Sequence, residues 1–208
     1  MSKIGFEYLN SESKRDLDLI GSIALLTLAM PITAGFSILS AIDTKDNPFF
    51  IQQRIGKNGR TFNIHKLRTI SRESVDENPN HRGSYDFRAK CIGKLLRKTG
   101  KDELPQLANV ISGEMSLVGI RPVIEEDLNY INDSEPALFN DWYSLYQHTR
   151  PGITGMSQIY RKSVHQSQES WQKSMKLDLN YAEKASLKED LKVIAITPIK
   201  LISKPEVI

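Results

Sequence analysis

From Leu19 to Ile42 the chain runs for 24 residues without a charge, bounded by Asp18 and Asp43. A helix of that length reaches roughly 36 Å, enough to cross a hydrocarbon core. The competing reading is a helix buried in a soluble core. A cleaved signal peptide fits poorly, because the run is too long and lacks a small-residue cleavage site. Pro31 sits near the midpoint. An interior proline removes a backbone donor and clashes with the preceding turn, so a break is expected there.

The pattern changes on either side of this run. Residues 1–13 are polar and are expected to be loosely ordered. Phe49–Ile55 and Thr61–Leu67 read as two strands joined by Lys57-Asn58-Gly59-Arg60, and Asn-Gly is a strong hairpin signal. Residues 71–86 read as an exposed loop. Phe87–Thr99 reads as an amphipathic helix, with Phe87, Cys91, Ile92, Leu95 and Leu96 on one face and five cations around the rest. Cys91 is expected there as a small core hydrophobe. Thr99–Pro105 marks another helix start, stopped at Gly113. Met115–Val118 reads as a short strand, and 150–155 as a turn. Stretches 124–147, 166–186 and 187–202 read as helices, the last interrupted by Pro198. The expected fold class is α+β, mostly helical.

Charge sharpens this picture. The whole chain carries a net +3, but Arg54–Lys101 alone holds 13 Lys/Arg against four acids, leaving the remainder at −6. A local excess of that size points to an anionic partner: phosphates, lipid headgroups or nucleic acid. Stacking aromatics are sparse in the block (Phe62, Tyr85 and Phe87), which argues against nucleic acid. The single cysteine excludes a disulfide framework. The mean hydropathy of −0.37 averages a membrane-length insert with a polar remainder.

Several chemistries are absent. There is no GxxxxGK[ST], GxGxxG, GxSxG or HExxH, and the four histidines have no metal-ligand spacing. What stands out is Asp102-Glu103 at a helix start, directly after the basic helix. Capping and the helix dipole account for such a pair without any chemistry. The functional reading is that a helix N-terminus with Arg97 and Lys101 nearby holds a diphosphate beside an ionised carboxylate. A carboxylate can attack phosphorus, and a divalent hard cation would screen the repulsion.

Residues 102–122, DELPQLANVISGEMSLVGIRP, resemble the signature of the bacterial sugar transferases, the small monotopic phosphoglycosyl transferases. The resemblance runs along most of the chain. Lys14-Arg15 with Asp18 is similar to the family's start, and the Pro31-containing run to its membrane anchor. Phe49–Gly56 and Phe62–Thr69 resemble its basic hairpin, Arg150–Gly155 its downstream turn, and Asp178-Leu179-x-Tyr181 with Asp190-Leu191 its C-terminal pattern. The resemblance implies transfer of a phosphosugar from a UDP-sugar to polyprenyl (undecaprenyl) phosphate, releasing UMP. It implies Asp102 as nucleophile, and Glu103 as proton acceptor or co-ligand with Asp102 of Mg²⁺. Arg97, Arg121, Pro122, Arg161 and Asp178 match further positions of the family's site. Lys66 and Arg68 match its basic hairpin, with phosphate contact and plain surface charge equally open. Ile120 stands where the family has proline, Met30 where it has serine, and Tyr160 where glycine is common. The first of these is expected to loosen the backbone near the nucleotide.

The implied organisation is a polar N-terminus (1–13), a membrane anchor (14–45) and a cytoplasmic catalytic domain (46–208). UDP-sugars are cytoplasmic, Lys14-Arg15 favour a cytoplasmic N-terminus, and the +9 block favours the same side. A re-entrant helix broken at Pro31 keeps both flanks inside, at the bacterial inner membrane, with the basic and C-terminal helices resting on anionic phospholipid. The expected partners are UDP-sugar, polyprenyl phosphate, the membrane and downstream glycosyltransferases, with no nucleic acid. The non-enzymatic alternative is a membrane-anchored basic binding or scaffold protein.

Overall fold

The computed structural model describes residues 3–73, 89–160 and 167–203. The sequence expectations for Phe87, Arg88, Arg161 and most of loop 71–86 fall outside that range. The described chain is mostly helical with two small sheets. Its elements are α1 (Lys3–Leu9), α2 (Glu12–Thr44), β1 (Phe49–Ile55), β2 (Thr61–Leu67), α3 (Cys91–Thr99), α4 (Leu107–Ile111), β3 (Ser116–Val118), α5 (Glu125–Ser134), α6 (Pro136–His148), β4 (Gly152–Thr154), α7 (Met156–Tyr160), α8 (Gln168–Lys184) and α9 (Leu187–Ser203). A 3₁₀ segment, Lys101–Gln106, joins α3 to α4.

The hairpin has the predicted bounds, pairing Phe49 with Leu67 through Ile55 with Thr61. Asn58 and Gly59 both adopt positive φ (60° and 70°), the backbone that an Asn-Gly turn supplies cheaply. The segment read as a turn at 150–155 is instead β4, parallel to β3 in the register Ser116 to Gly152 and Val118 to Thr154. The pairing needs backbones in close approach. A Cβ on Gly152 would lie 2.1 Å from the Gly119 nitrogen, so glycine is required. Ile120 is buried and its carbonyl accepts from Gly152 N–H at 2.7 Å, so this element is fixed rather than loosened.

The N-terminus also departs from expectation. Residues 3–9 form a helix because they have somewhere to dock: Gly5 packs on the Ala182 carbonyl of α8 and Leu9 is buried in the core. The 124–147 stretch is two helices, separated where Pro136 begins α6. Cys91 is exposed, not a core residue, because α3 turns Gly93 and Leu96 inward instead. The main core gathers Trp142, Tyr146, Leu145, Met115, Val110, Ile131 and Met175 between α4–α6, β3 and α8.

Helix α2 spans 33 residues, with Pro31 inside it. The helix–break–helix expected from the sequence is therefore one continuous element with an internal proline. The proline removes only the bond to the Thr27 carbonyl, and the turns on either side persist. The most apolar 18-residue window is only 6% buried, so the soluble-core reading of this helix fails. Both ends of the uncharged run are nevertheless tied to one body. Asp18 Oδ1 accepts from Ser116 Oγ and Leu117 N, both at 3.0 Å. At the far end Ser40 Oγ donates to the Arg68 carbonyl (2.5 Å) and Gly93 N to Asp43 Oδ2 (3.3 Å). Lys101 Nζ lies 5.2 Å from the Phe36 ring centroid.

Candidate active site

The acidic pair sits where α3 ends. Gly100, at φ 66°, caps α3 through bonds to Arg97 and Leu96 carbonyls and starts the 3₁₀ segment. That sharp reversal sends Glu103 across to β2. There Lys66 Nζ donates to Glu103 Oε1 at 2.7 Å, and Arg121 Nη1 stands 4.0 Å from the same oxygen. Glu103 therefore spends its carboxylate on cations rather than on a helix cap. Burial alone would raise its pKa, but Lys66 and Arg121 outweigh burial and hold it down at about 2. Asp102 goes the other way. Burial and the neighbouring Glu103 charge raise it to about 6, against the pull of Lys66 and Arg97. Adjacent carboxylates with pKa values pushed apart are the pattern of a divided acid–base or nucleophile role.

A small cleft opens beside Glu103, lined by Arg54, Ile64, Lys66, Gln106, Arg121, Pro122 and Gly152 among others. Asp102 is not among its lining residues. The cleft is assembled from distant segments. Tyr146 O–H donates to the Ile55 carbonyl and accepts from Val123 N (3.2 Å), while Ile55 N donates to the Val123 carbonyl (3.0 Å). These bonds lock the end of β1 to the 121–123 segment and bring Arg54 beside Arg121. Arg54 Nη1 donates to the Pro122 carbonyl at 3.3 Å, and burial with the Arg121 charge lowers its pKa to about 10.

The expected site residues divide clearly. Lys66, Glu103, Arg121 and Pro122 line the cleft, and Arg97 acts on Asp102 while its Nε donates to Thr69 Oγ1 at 2.8 Å. Arg68 is neither solvated charge nor open to the cleft. It is buried, with Nε donating to the Asn47 carbonyl (2.7 Å) and Asp46 3.7 Å away. Asp178 is buried between α6 and α8, accepting from the Trp142 indole at 3.0 Å. Lys14 and Arg15, read as charges facing the cytoplasm, are committed inside the protein. Lys14 bonds Asp18 and Asp190, and Arg15 donates to the Val110 and Ile111 carbonyls. Sequence reasoning missed Arg54 and Gln106. Arg54 was visible only as the first cation of the basic block and as part of the Phe49–Gly56 segment.

Among the described residues no group of three or more His, Cys, Asp or Glu gathers into a metal cage. Two adjacent carboxylates fit a different donor set. Mg²⁺ is commonly held by one or two carboxylates with substrate phosphates supplying the rest.

Residues 9–204 match the bacterial sugar transferase family. The chain belongs to that family. Among its relatives, this sugar transferase is 31% identical over 147 residues to the UDP-N-acetylgalactosamine-undecaprenyl-phosphate N-acetylgalactosaminephosphotransferase of Aeromonas hydrophila, covering 70% of this chain and 33% of that protein. It is 33% identical over 198 residues to the exopolysaccharide production protein ExoY of Sinorhizobium fredii, covering 88% and 82%. It is 33% identical over 193 residues to the UDP-glucose:undecaprenyl-phosphate glucose-1-phosphate transferase of Klebsiella pneumoniae, covering 92% and 40%. The chain thus spans 33–40% of the length of two of these relatives and most of the third.

Proposed function

We propose that this sugar transferase moves a phosphosugar from a UDP-sugar to polyprenyl phosphate, of which undecaprenyl phosphate is the type, and so initiates assembly of a bacterial glycan. The observation that carries the reading is the split acidic pair beside a cationic cleft: Asp102 raised to about 6, Glu103 held at about 2 by Lys66 and Arg121. A carboxylate with a pKa near 6 is mostly ionised at neutral pH, yet less stabilised as an anion than an ordinary aspartate.

In the first step an Asp102 oxygen attacks the phosphorus attached to the sugar. The bond from that phosphorus to the UMP oxygen breaks, UMP departs with the electron pair, and an acyl phosphosugar remains on Asp102. In the second step an oxygen of polyprenyl phosphate attacks the same phosphorus, and Asp102 leaves as a carboxylate. Lys66, Arg54 and Arg121 offset negative charge on the diphosphate and on the departing phosphate. Glu103, held near 2, is a weak proton acceptor. Its part is electrostatic, shared with Asp102 toward Mg²⁺, which when bound adds charge neutralisation at the phosphates.

Membrane attachment follows from α2. Its apolar surface is exposed, and Asp18 and Asp43, at the two ends of the uncharged run, bond to the same catalytic body. That double attachment supports a helix that enters and leaves one face of the inner membrane, with the site on the cytoplasmic side. Impermeant thiol labelling in intact cells tests it, using Lys3→Cys and Ser203→Cys in a Cys91→Ser background. Both positions should be protected, and labelling of either sinks the topology.

The activity is tested by incubating the purified chain with UDP-sugars, Mg²⁺ and undecaprenyl phosphate and following UMP. Activity lost in Asp102→Asn supports the covalent route, and full activity in that variant refutes it. Inactivity of the wild-type chain with every sugar would favour the scaffold reading, which no observation on the site favours.

A further inference from the structure

We infer that the open end of the β1–β2 hairpin is a second membrane contact, inserted into the same leaflet as α2. The inference rests on the reading of α2 as a membrane anchor. Phe49, Phe50 and Ile51 are 46%, 36% and 56% exposed. Successive strand residues point to opposite faces, so Phe49 and Ile51 are on one face and Phe50 on the other. Apolar side chains are therefore partly exposed on both faces of this end. A protein partner docking on one face would leave the other in water, whereas a lipid phase meets both at once.

Two further observations favour lipid. The first is continuity. The hairpin's open end is joined to the C-terminal half of α2, whose Ile38 and Ile42 are 63% and 69% exposed, by the Ser40–Arg68 bond. The exposed strand end thus lies beside the C-terminal end of the anchor helix, five residues along the chain from Thr44.

The second is the backbone. Lipid penalises unpaired N–H and C=O groups, which keeps ordinary strand edges out of it. At Phe49 these groups are already taken: its N–H donates to Asn47 Oδ1 at 2.8 Å and its carbonyl accepts from Arg68 Nη2 at 3.4 Å. Arg68 N also donates to the Pro48 carbonyl at 2.7 Å. The Arg68 guanidinium lies 5.8 Å from the Phe50 centroid, so its charge is held under an aromatic ring. Buried Arg68 thus has a structural purpose: it pairs the backbone at Pro48 and Phe49, where the hairpin leaves α2.

The placement has a consequence for the reaction. Phe50 pairs with Lys66 across the hairpin, and paired positions share a face. Lys66 lines the cleft. Embedding Phe50 brings the cleft to the bilayer surface, where a lipid-linked phosphate presents its head group.

The test uses the full chain in a Cys91→Ser background with one environment-sensitive fluorophore on a single cysteine. The positions are Phe49→Cys, Ile51→Cys, Leu28→Cys in α2, and Thr61→Cys at the far end of the hairpin. Each protein is reconstituted into phosphatidylethanolamine/phosphatidylglycerol vesicles with and without spin-labelled acyl chains, and folding is checked by its thermal transition. Quenching at 49 and 51 comparable with that at 28, and well above that at 61, is the expected result. Strong quenching at 28 with 49 and 51 no better quenched than 61 overturns the inference and leaves the anchor standing. No quenching at 28 overturns the anchor and the inference with it.

Discussion

Two lysine–carboxylate clusters, built from the same chemistry, sit in opposite surroundings. In one, Lys14 bridges Asp18 (3.0 Å) and Asp190 (2.7 Å), with side chains at most 3% exposed. In the other, Lys66 meets Glu103 at 2.7 Å with side chains 15% and 25% exposed. The first is furnished with donors from several elements. Asp18 accepts from Ser116 and Leu117, and Asp190 from Tyr8 and Tyr181. Burial and the Asp190 charge push both phenols well above their usual range, which keeps them protonated donors. The second cluster is thinly furnished and open to a cleft. The difference separates roles: a cluster whose polar atoms are mostly satisfied inside the protein latches α1, α2, β3 and α9 together, while one left half-open can exchange partners with a substrate.

Asp102→Asn is the largest test of that division. It should reduce turnover by about 10⁴-fold or more while leaving the thermal transition in place, as expected for a lost nucleophile. Asp190→Asn should do the reverse, lowering the transition and sparing the activity of the molecules that remain folded. Equal effects of the two substitutions on turnover per folded molecule would erase the distinction. Next in size is Lys14→Met, which leaves two buried carboxylates without their cation. Breaking a buried pair in this way costs about 3–5 kcal/mol, readable by denaturant unfolding in detergent. Lys66→Met, at a solvent-reached pair, should cost about 1 kcal/mol or less in the same assay.

The latch was the least legible part of the chain. Lys14, Arg15 and Asp18 lie beside a membrane-length run and Asp190 lies more than 170 positions later, so local charge looks like flanking charge. Nothing short of the fold distinguishes a paired cation from a solvated one, and Arg68 fails for the same reason. By contrast, β1 and β2 were legible to the residue because the Asn-Gly turn between them acts locally. β4 was hidden since its three residues form a strand only by pairing with β3, and the signal is the close approach of Gly119 and Gly152. α1 was hidden because its docking partner, α8, is remote. In the site, Asp102-Glu103 stood out as adjacent acids after a basic helix. Arg54 and Gln106 join them only once Tyr146 has locked β1 to the 121–123 segment.

A subtler effect separates the clusters by pH. If ionised Asp102 is the attacking form, kcat/KM should fall as pH drops below about 6, the value to which burial and Glu103 raise it. Lys66 favours the anion, so Lys66→Met should move that limb to higher pH. A limb unmoved in the variant would dissociate Lys66 from the nucleophile.

The smallest expected effect is on stability in acid, and within the pair its sign alternates. Glu103 has a folded pKa of about 2, below its ordinary 4.5. Its ionised form is favoured by folding, so its contribution is present above pH 4.5 and lost as pH falls toward 2. Asp102, raised from 3.8 to about 6, binds its proton more tightly when folded, so its contribution is present below 3.8 and lost as pH rises through 6. Across about pH 2–6 the two contributions overlap, Glu103's growing and Asp102's fading as pH rises. Glu103→Gln should therefore flatten the loss of stability below pH 4.5. Because Glu103 also raises Asp102, the same substitution should shift the upper loss, near pH 6, to lower pH. Unfolding curves across pH 3–7 read both changes at once. If only the acid limb moves, the two carboxylates titrate independently and the cleft is no more coupled than a pair of surface acids.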